Sequence, residues 1–217
     1  EVLDALVDLA PQPQPRVALQ GPVQPEDPKF TGVVFKIQAN MDPAHRDRIV
    51  FVRVCSGRFE RGMRLRIQRS GKEIRPNSVV SFLSQRRELL DEAYGGDIIG
   101  IPSHGGIQLG DTLTETADPL QFTGLPFFAP EIFRAIEVVN PRKTKQLRTG
   151  LVQLGEEGAI QVFRPLHSST LLLGAVGILQ FDVAAHRLQH EYNVEARVIS
   201  SPYACARWVT ADDEAEL

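Results

Sequence analysis

RIVFVRVCSGRFERGMRLRI, residues 48–67, decides how the chain folds. Val50, Val52 and Val54 alternate onto one face, and Ile49, Phe51 and Arg53 onto the other, the period-2 pattern of a half-buried strand. Ser56 and Gly57 break the run. Arg61-Gly62 then supplies a turn in which glycine can take a positive φ. Met63, Leu65 and Ile67 resume the alternation, with Arg64 and Arg66 facing away. Two strands joined by a tight corner need a core that one hairpin cannot build. The arginines of the outer face and the corner need water or a polyanion.

The surrounding sequence supplies that core. From residue 29 to about residue 116 the pattern is strand and turn. Strands are expected at residues 30–38, 49–55, 63–68, 79–83, 92–94, 98–101 and 112–113. Ser70-Gly71-Lys72, Gly95-Gly96, Gly105-Gly106 and Gly110 stand at the corners. Short strands at this spacing indicate a closed or nearly closed antiparallel β-barrel. Upstream, residues 1–9 read as a short amphipathic helix. The stretch PQPQPRVALQGPVQPEDP holds six prolines in 18 residues and reads as a semi-rigid, extended linker.

A second shift in composition comes at residues 118–130, with three prolines and a glycine. Beyond it the chain alternates α and β. A strand is expected at 131–139, followed by a helix opened by Asn140 as N-cap and Pro141 at the first position. Leu147, Leu151 and Leu154 recur at helical spacing, and Gly158 ends that helix. Strands at 159–163 and 175–181 follow, then a helix capped by Asp182 and closed by Asn193. A last strand covers 195–200, with residues 203–209 as its candidate extension. The order β-α-β-β-α-β is that of a ferredoxin-like α+β sandwich. The division is thus 1–28, 29–118 and 119–217.

The formal net charge of −3 conceals an asymmetry. Residues 28–75 carry 12 Lys and Arg against 4 Asp and Glu, or +8, and the remainder carries 12 against 23, or −11. A basic module in an acidic chain points to a phosphate-bearing partner; edge strands also carry Lys and Arg to block edge pairing. No apolar run approaches the roughly 20 residues of a membrane span, and EVLDALVDLA lacks the basic start of a signal peptide. Cys55 and Cys205 read as buried apolar residues of a reduced, cytosolic protein.

No catalytic, cofactor or metal residues stand out. Gly71-Lys72 lacks the phosphate loop's earlier glycine, because position 66 is Arg, and its Ser or Thr, because position 73 is Glu. Asp97-Ile98-Ile99-Gly100 matches a DxxG pattern of two fixed positions only. His186 and His190 lie four apart on a helix, with neither a third ligand nor the glutamate of HExxH. The loop at residues 39–48 is the best candidate site. It sets His45, Arg46 and Arg48 beside Lys36, with Arg58 in the neighbouring corner. These five donors on one barrel end suit an RNA backbone, whose phosphates match guanidinium forks.

Longer motifs carry a family resemblance. FKIQANMDPAHRDRIVFVRVCSGRFERGM (residues 35–63) resembles the second domain of the bacterial peptide-chain release factor 3 family of translational GTPases. AYGGDIIGI (93–101) and QLGDTL (108–113) resemble later strands of the same barrel. GAVGILQFDVAAHRLQHEYNVEARVISSPY (174–203) is similar to the third domain of the ribosomal translocase and its release-factor relative, and LRTGLVQLGEEGAIQVFRP (147–165) fits the release factor better. The resemblance implies ribosome-binding domains of a class II release factor, with residues 1–10 as the last helix of a GTPase domain. It implies that GTP or GDP and Mg²⁺ belong to that domain and that these 217 residues are inactive alone. The implied partners are small-subunit rRNA, ribosomal proteins and the class I release factor on the ribosome. A cytoplasmic monomer without membrane contact is expected. The contact residues Lys36, His45, Arg46, Arg48 and Arg58 come from charge and position, not from a family signature. Alternatives are another translational GTPase of translocase-like or ribosome-protection type, a stand-alone RNA-binding barrel, and a free-standing enzyme or metal protein.

Overall fold

The structure is a computed structural model and describes residues 2–39, 48–83, 86–103, 106–125, 128–207 and 209. The chain forms two compact units, Glu1–Leu125 and Pro126–Leu217.

In the first unit α1 (Val2–Leu9) is followed by β1 (Arg16–Ala18), β2 (Gly21–Val23), β3 (Thr31–Ala39), β4 (Arg48–Ser56), β5 (Arg58–Glu60) and β6 (Leu65–Ile67). Then come β7 (Glu73–Ile74), β8 (Val80–Leu83), β9 (Arg86–Leu89), β10 (Glu92–Tyr94), β11 (Ile98–Ser103) and β12 (Thr112–Thr114). Eight of these strands make a curled antiparallel sheet in the order β7-β6-β12-β3-β4-β11-β8-β9. Its concave side closes over Phe30, Val34, Ile37, Val50, Val52, Val54, Phe59, Leu65, Ile67 and Leu113. The expected inward set of β4 and β6 is therefore the core set.

The strands flanking the corner do not pair with each other. β4 lies between β3 and β11, whereas β6 lies between β7 and β12. The corner carries the chain across the barrel instead of closing a hairpin. Gly57 makes the first bend at φ 68°, and a Cβ there would sit 2.5 Å from the Lys29 backbone, so no other residue fits. β5 then pairs with β10.

The proline-rich stretch is not a bare linker. β1 and β2 form a hairpin, and residues 120–125 return to it: Leu19 N–H donates to Gln121 O at 2.9 Å and Thr123 N–H to Val17 O at 3.1 Å. Together they bury Ala18 and Phe122 against Val33 and Cys55 on the outside of the sheet. The prolines and glycine obscured this contact, since they read as solvated chain. The large apolar side chains of α1 (Val2, Leu3, Leu6, Val7 and Leu9) are exposed.

The second unit comprises β13 (Ile132–Val138), a 3₁₀ turn at Pro141–Lys143, α2 (Thr144–Glu156), β14 (Gln161–Phe163), β15 (Leu171–Ala175), α3 (Leu179–Tyr192) and β16 (Ala196–Ser200). The sheet order β14-β15-β13-β16, all antiparallel, is the ferredoxin-like arrangement. Asn140 caps as expected, its Oδ1 accepting from Arg142 N–H at 3.1 Å. Asn193 closes α3 in the left-handed region at φ 54°.

α3 starts earlier than its sequence suggests. Gln180 reaches back and its Oε1 accepts from Val176 N–H at 2.8 Å and Gly177 N–H at 3.0 Å. Phe181, Ala184 and Leu188 form the buried stripe. The strand expected at 175–181 is instead β15, which ends at Ala175, and residues 179–181 open the helix, because a short apolar run does not by its pattern tell strand from helix. Asp182 sits in the first turn, where a carboxylate complements the helix dipole. α2 and α3 pack closely at Gly150, where a Cβ would meet Leu188 Cδ2 at 2.7 Å.

Candidate nucleic-acid interface

The site starts from an irregularity in β3. Val34 lies opposite Val52, but the next register partner is Lys36 opposite Phe51, so Phe35 is the extra residue of a β-bulge. Val34 and Ile37 enter the barrel core. Phe35 and Lys36, although consecutive, are thereby both turned to the outer face. Gln38, two residues on, shares that face. The Phe35 and Phe51 rings are tilted at 58° with centroids 6.3 Å apart. Lys36 Nζ lies 5.5 Å from the Phe51 centroid, a cation–π distance. Lys36 is exposed, and Phe35, Gln38 and Phe51 are half-buried.

A loop from the other side of the sheet holds the bulge. Val34 N–H donates to Asp111 O at 2.9 Å, and Gly110 N–H donates to Val34 O at 2.8 Å. Asp111 is fixed in turn: Oδ1 accepts from Arg69 Nε at 2.6 Å, and Oδ2 accepts from Arg69 Nη2 at 3.0 Å and Gln108 N–H at 2.7 Å. The hydrogen bonds to Asp111 raise the pKa of Arg69 above its ordinary value. This bidentate pair gives the QLGD turn its shape.

Of the five expected donors three are described, and among these Arg58 stands apart from Lys36 and Arg48. His45 and Arg46 lie outside the described residues. Arg48, at the start of β4, is only 8% exposed, which does not suit a phosphate contact. Arg58 sits at the far end of the ribbon, on the order of 30 Å from Arg48 at about 3.3 Å per residue. There it bonds Glu92 Oε2 at 2.6 Å and Glu60 Oε1 at 3.4 Å. Its guanidinium stands 6.0 Å from the Tyr94 ring centroid, and Tyr94 followed by Glu92 raises its pKa. Glu60 and Glu92 are direct cross-strand neighbours, so Arg58 relieves a like-charge pair. With Arg61 and Asp91 these residues line a mixed-charge dent. Lys36 is the member of the set that is exposed and has no carboxylate partner among the described residues. The expected set omits Phe35 and Gln38, which share this face, because strict alternation puts Phe35 inside; Val33-Val34-Phe35-Lys36-Ile37 cannot alternate without a slip.

Among the described residues neither unit offers a nucleotide or metal centre. The Gly71-Lys72 turn uses its own donors, Gly71 N–H bonding Ile67 O at 2.8 Å and Lys72 N–H meeting Ser70 Oγ at 3.4 Å. Asp97 Oδ2 accepts from Tyr94 N–H at 2.8 Å, which makes the DxxG aspartate a hairpin residue. These residues do not fit GTP or its Mg²⁺. His186 and His190 stack at 3.9 Å, and His190 Nδ1 meets the His186 carbonyl at 2.8 Å. Among the described residues no group of three or more His, Cys, Asp or Glu could hold a metal ion. No helix of the described residues is long and apolar enough to cross a membrane. Cys55 is buried as expected, and burial pushes its thiol up to about 11. Cys205 is exposed, contrary to expectation, because it follows the last strand instead of continuing it.

Two family descriptions match in tandem: "Elongation factor G domain 2" over residues 29–116, and "Class II release factor RF3, C-terminal domain" over residues 122–217. The chain thus carries two domains of translation-factor type. Peptide chain release factor 3 of Bordetella pertussis is 71% identical over 218 residues, covering 100% of this chain and 41% of that protein. The namesake from Nitrosomonas europaea is 67% identical over 217 residues, covering 100% of this chain and 40% of its own length. A solved protein from Thermus thermophilus shares the fold at a TM-score of 0.69 and 24% identity, covering 91% of this chain and 28% of its own. The chain belongs to the peptide chain release factor 3 family, and spans about two fifths of the curated relatives it matches.

Proposed function

We propose that these two domains are the ribosome-docking part of a class II peptide-chain release factor. The full-length protein is a ribosome-dependent GTPase that speeds departure of the stop-codon-reading release factor after the peptide is freed. The observation that supports this is the tandem of an elongation-factor barrel and a release-factor C-terminal domain, at 67–71% identity along the whole chain. GTP, GDP and Mg²⁺ bind elsewhere in the full-length protein, since the Gly71 and Asp97 turns are closed by their own hydrogen bonds. The barrel meets small-subunit rRNA and ribosomal protein, and the α/β domain helps convert nucleotide state into a pose on the ribosome. The protein works as a cytoplasmic monomer. The test uses the full-length protein with bacterial ribosomes carrying a bound class I release factor. GTP hydrolysis should rise on adding ribosomes, and the class I factor should leave faster. Hydrolysis indifferent to ribosomes, or an unchanged departure rate, sinks the proposal.

A further inference from the structure

The bulged outer face of β3 is more specific than a basic surface needs to be. Phe35 and Lys36 are turned outward side by side by the register slip, and Gln38 follows on the same face. The Gln38 amide makes no hydrogen bond among the described residues. Aromatic ring, exposed cation and unused amide match the three parts of a nucleotide: base face, phosphate and base edge. A duplex backbone would call for a row of cations. The other described candidates do not supply one, because Arg58 lies between two carboxylates and Arg48 is buried. Nor does a duplex have a use for Phe35, since its bases are already stacked on one another. An apolar protein surface would bury the Lys36 charge without compensation.

We propose that this ledge holds one unpaired nucleotide of an RNA loop. The base stacks on Phe35, Lys36 meets the adjoining phosphate, and Gln38 bonds the base edge. Phe51 backs Phe35 and steers Lys36. This rests on the reading that the barrel docks on rRNA, and it adds that the contact is to an unpaired base.

The experiment measures binding of the full-length protein to bacterial ribosomes across a salt series, with chemical probing of rRNA base edges. Phe35→Leu should weaken binding roughly 10-fold at unchanged salt slope, as expected for a lost base stack. Phe35→Tyr should restore it. Lys36→Ala should lower the salt slope by about 1. One unpaired base should be protected by the wild type and exposed with Phe35→Leu and with Gln38→Leu. Arg58→Ala should bind like the wild type. Melting temperatures of the variants report whether each is folded. The proposal is overturned if folded Phe35→Leu binds as the wild type does, if protection falls on duplex RNA, or if a cross-linker at position 36 captures ribosomal protein and no rRNA. Those results would leave ribosome docking intact. Failure of the wild type to bind at all would instead remove the functional reading beneath it.

Discussion

The outer face of the β3–β4 pair has two ends, and the chain treats them differently. Both carry a register shift, one between Thr31 and Gly32 and one between Val34 and Lys36. At the first, Val33 and Cys55 are covered by Ala18 of the β1–β2 hairpin and Phe122 of the returning segment, with Val23, Leu120 and Leu125 at the rim. At the second, Phe35, Lys36 and Phe51 stay partly in solvent and a cation lies over a ring. A bulge therefore has no fixed use. Apolar and small side chains at one end make a minor core that requires a cover. An aromatic pair beside a charge makes a surface whose side chains keep part of their exposure. The same contrast separates the cations, since Arg69 and Arg58 are held by carboxylates while Lys36 lies over the Phe51 ring.

That contrast can be broken at the covered end first. Phe122→Ala should cost about 4 kcal/mol in a denaturant titration, the usual range for an emptied aromatic site. A loss below about 1 kcal/mol would mean that the cover is not part of the fold. Burial of Cys55 carries its own pH signature. Its folded-state pKa is raised from 9.0 to about 11, so its contribution is complete below pH 9.0 and is lost as pH rises towards 11. A fall of roughly 2–3 kcal/mol is expected over that window, and Cys55→Ala should remove this step from the alkaline unfolding curve. Native protein should react with iodoacetamide at Cys205 alone, and unfolded protein at both thiols.

At the open end, Asp111→Ala removes the acceptor that shapes the loop on the bulge. It should cost about 2 kcal/mol, below the value for a fully buried pair because Arg69 stays partly solvated. Ribosome binding should fall with it, since Val34 loses a rigid partner. The smallest effect belongs to Arg58→Ala. It should lower the melting temperature slightly at low salt and not at about 1 M salt, because the Glu60–Glu92 repulsion it uncovers is exposed and screened. An Arg58→Ala variant that lost ribosome binding would move the interface to the ribbon tip and undo the contrast.

The barrel and the sandwich were legible because their strands and helices repeat a local period. Val50, Val52 and Val54 point inward as read, and Leu147, Leu151 and Leu154 line α2 as read. Three things were not legible. The proline-rich stretch hid a hairpin, since its contact partner Phe122 is about a hundred residues away. The start of α3 depended on one glutamine side chain. The candidate donors were grouped by nearness in sequence, although β4 runs the length of the barrel and separates Arg48 from Arg58. In the second unit Arg187 gave no sign of its role. Burial works against its charge, but the hydrogen bonds it donates to Glu191 and Glu157 outweigh that and hold its pKa high, tying α3 to the end of α2.

The sequence by itself determined which faces are apolar, where the chain turns, the order of the elements and the family, because each of these is written in neighbouring residues or long motifs. The tertiary structure alone decided which strands are neighbours, where the bulge falls and which cations meet a carboxylate. Those outcomes depend on partners far along the chain, as Arg69 depends on Asp111 42 residues away. Coulomb attraction and burial act through space, and only the fold sets that distance.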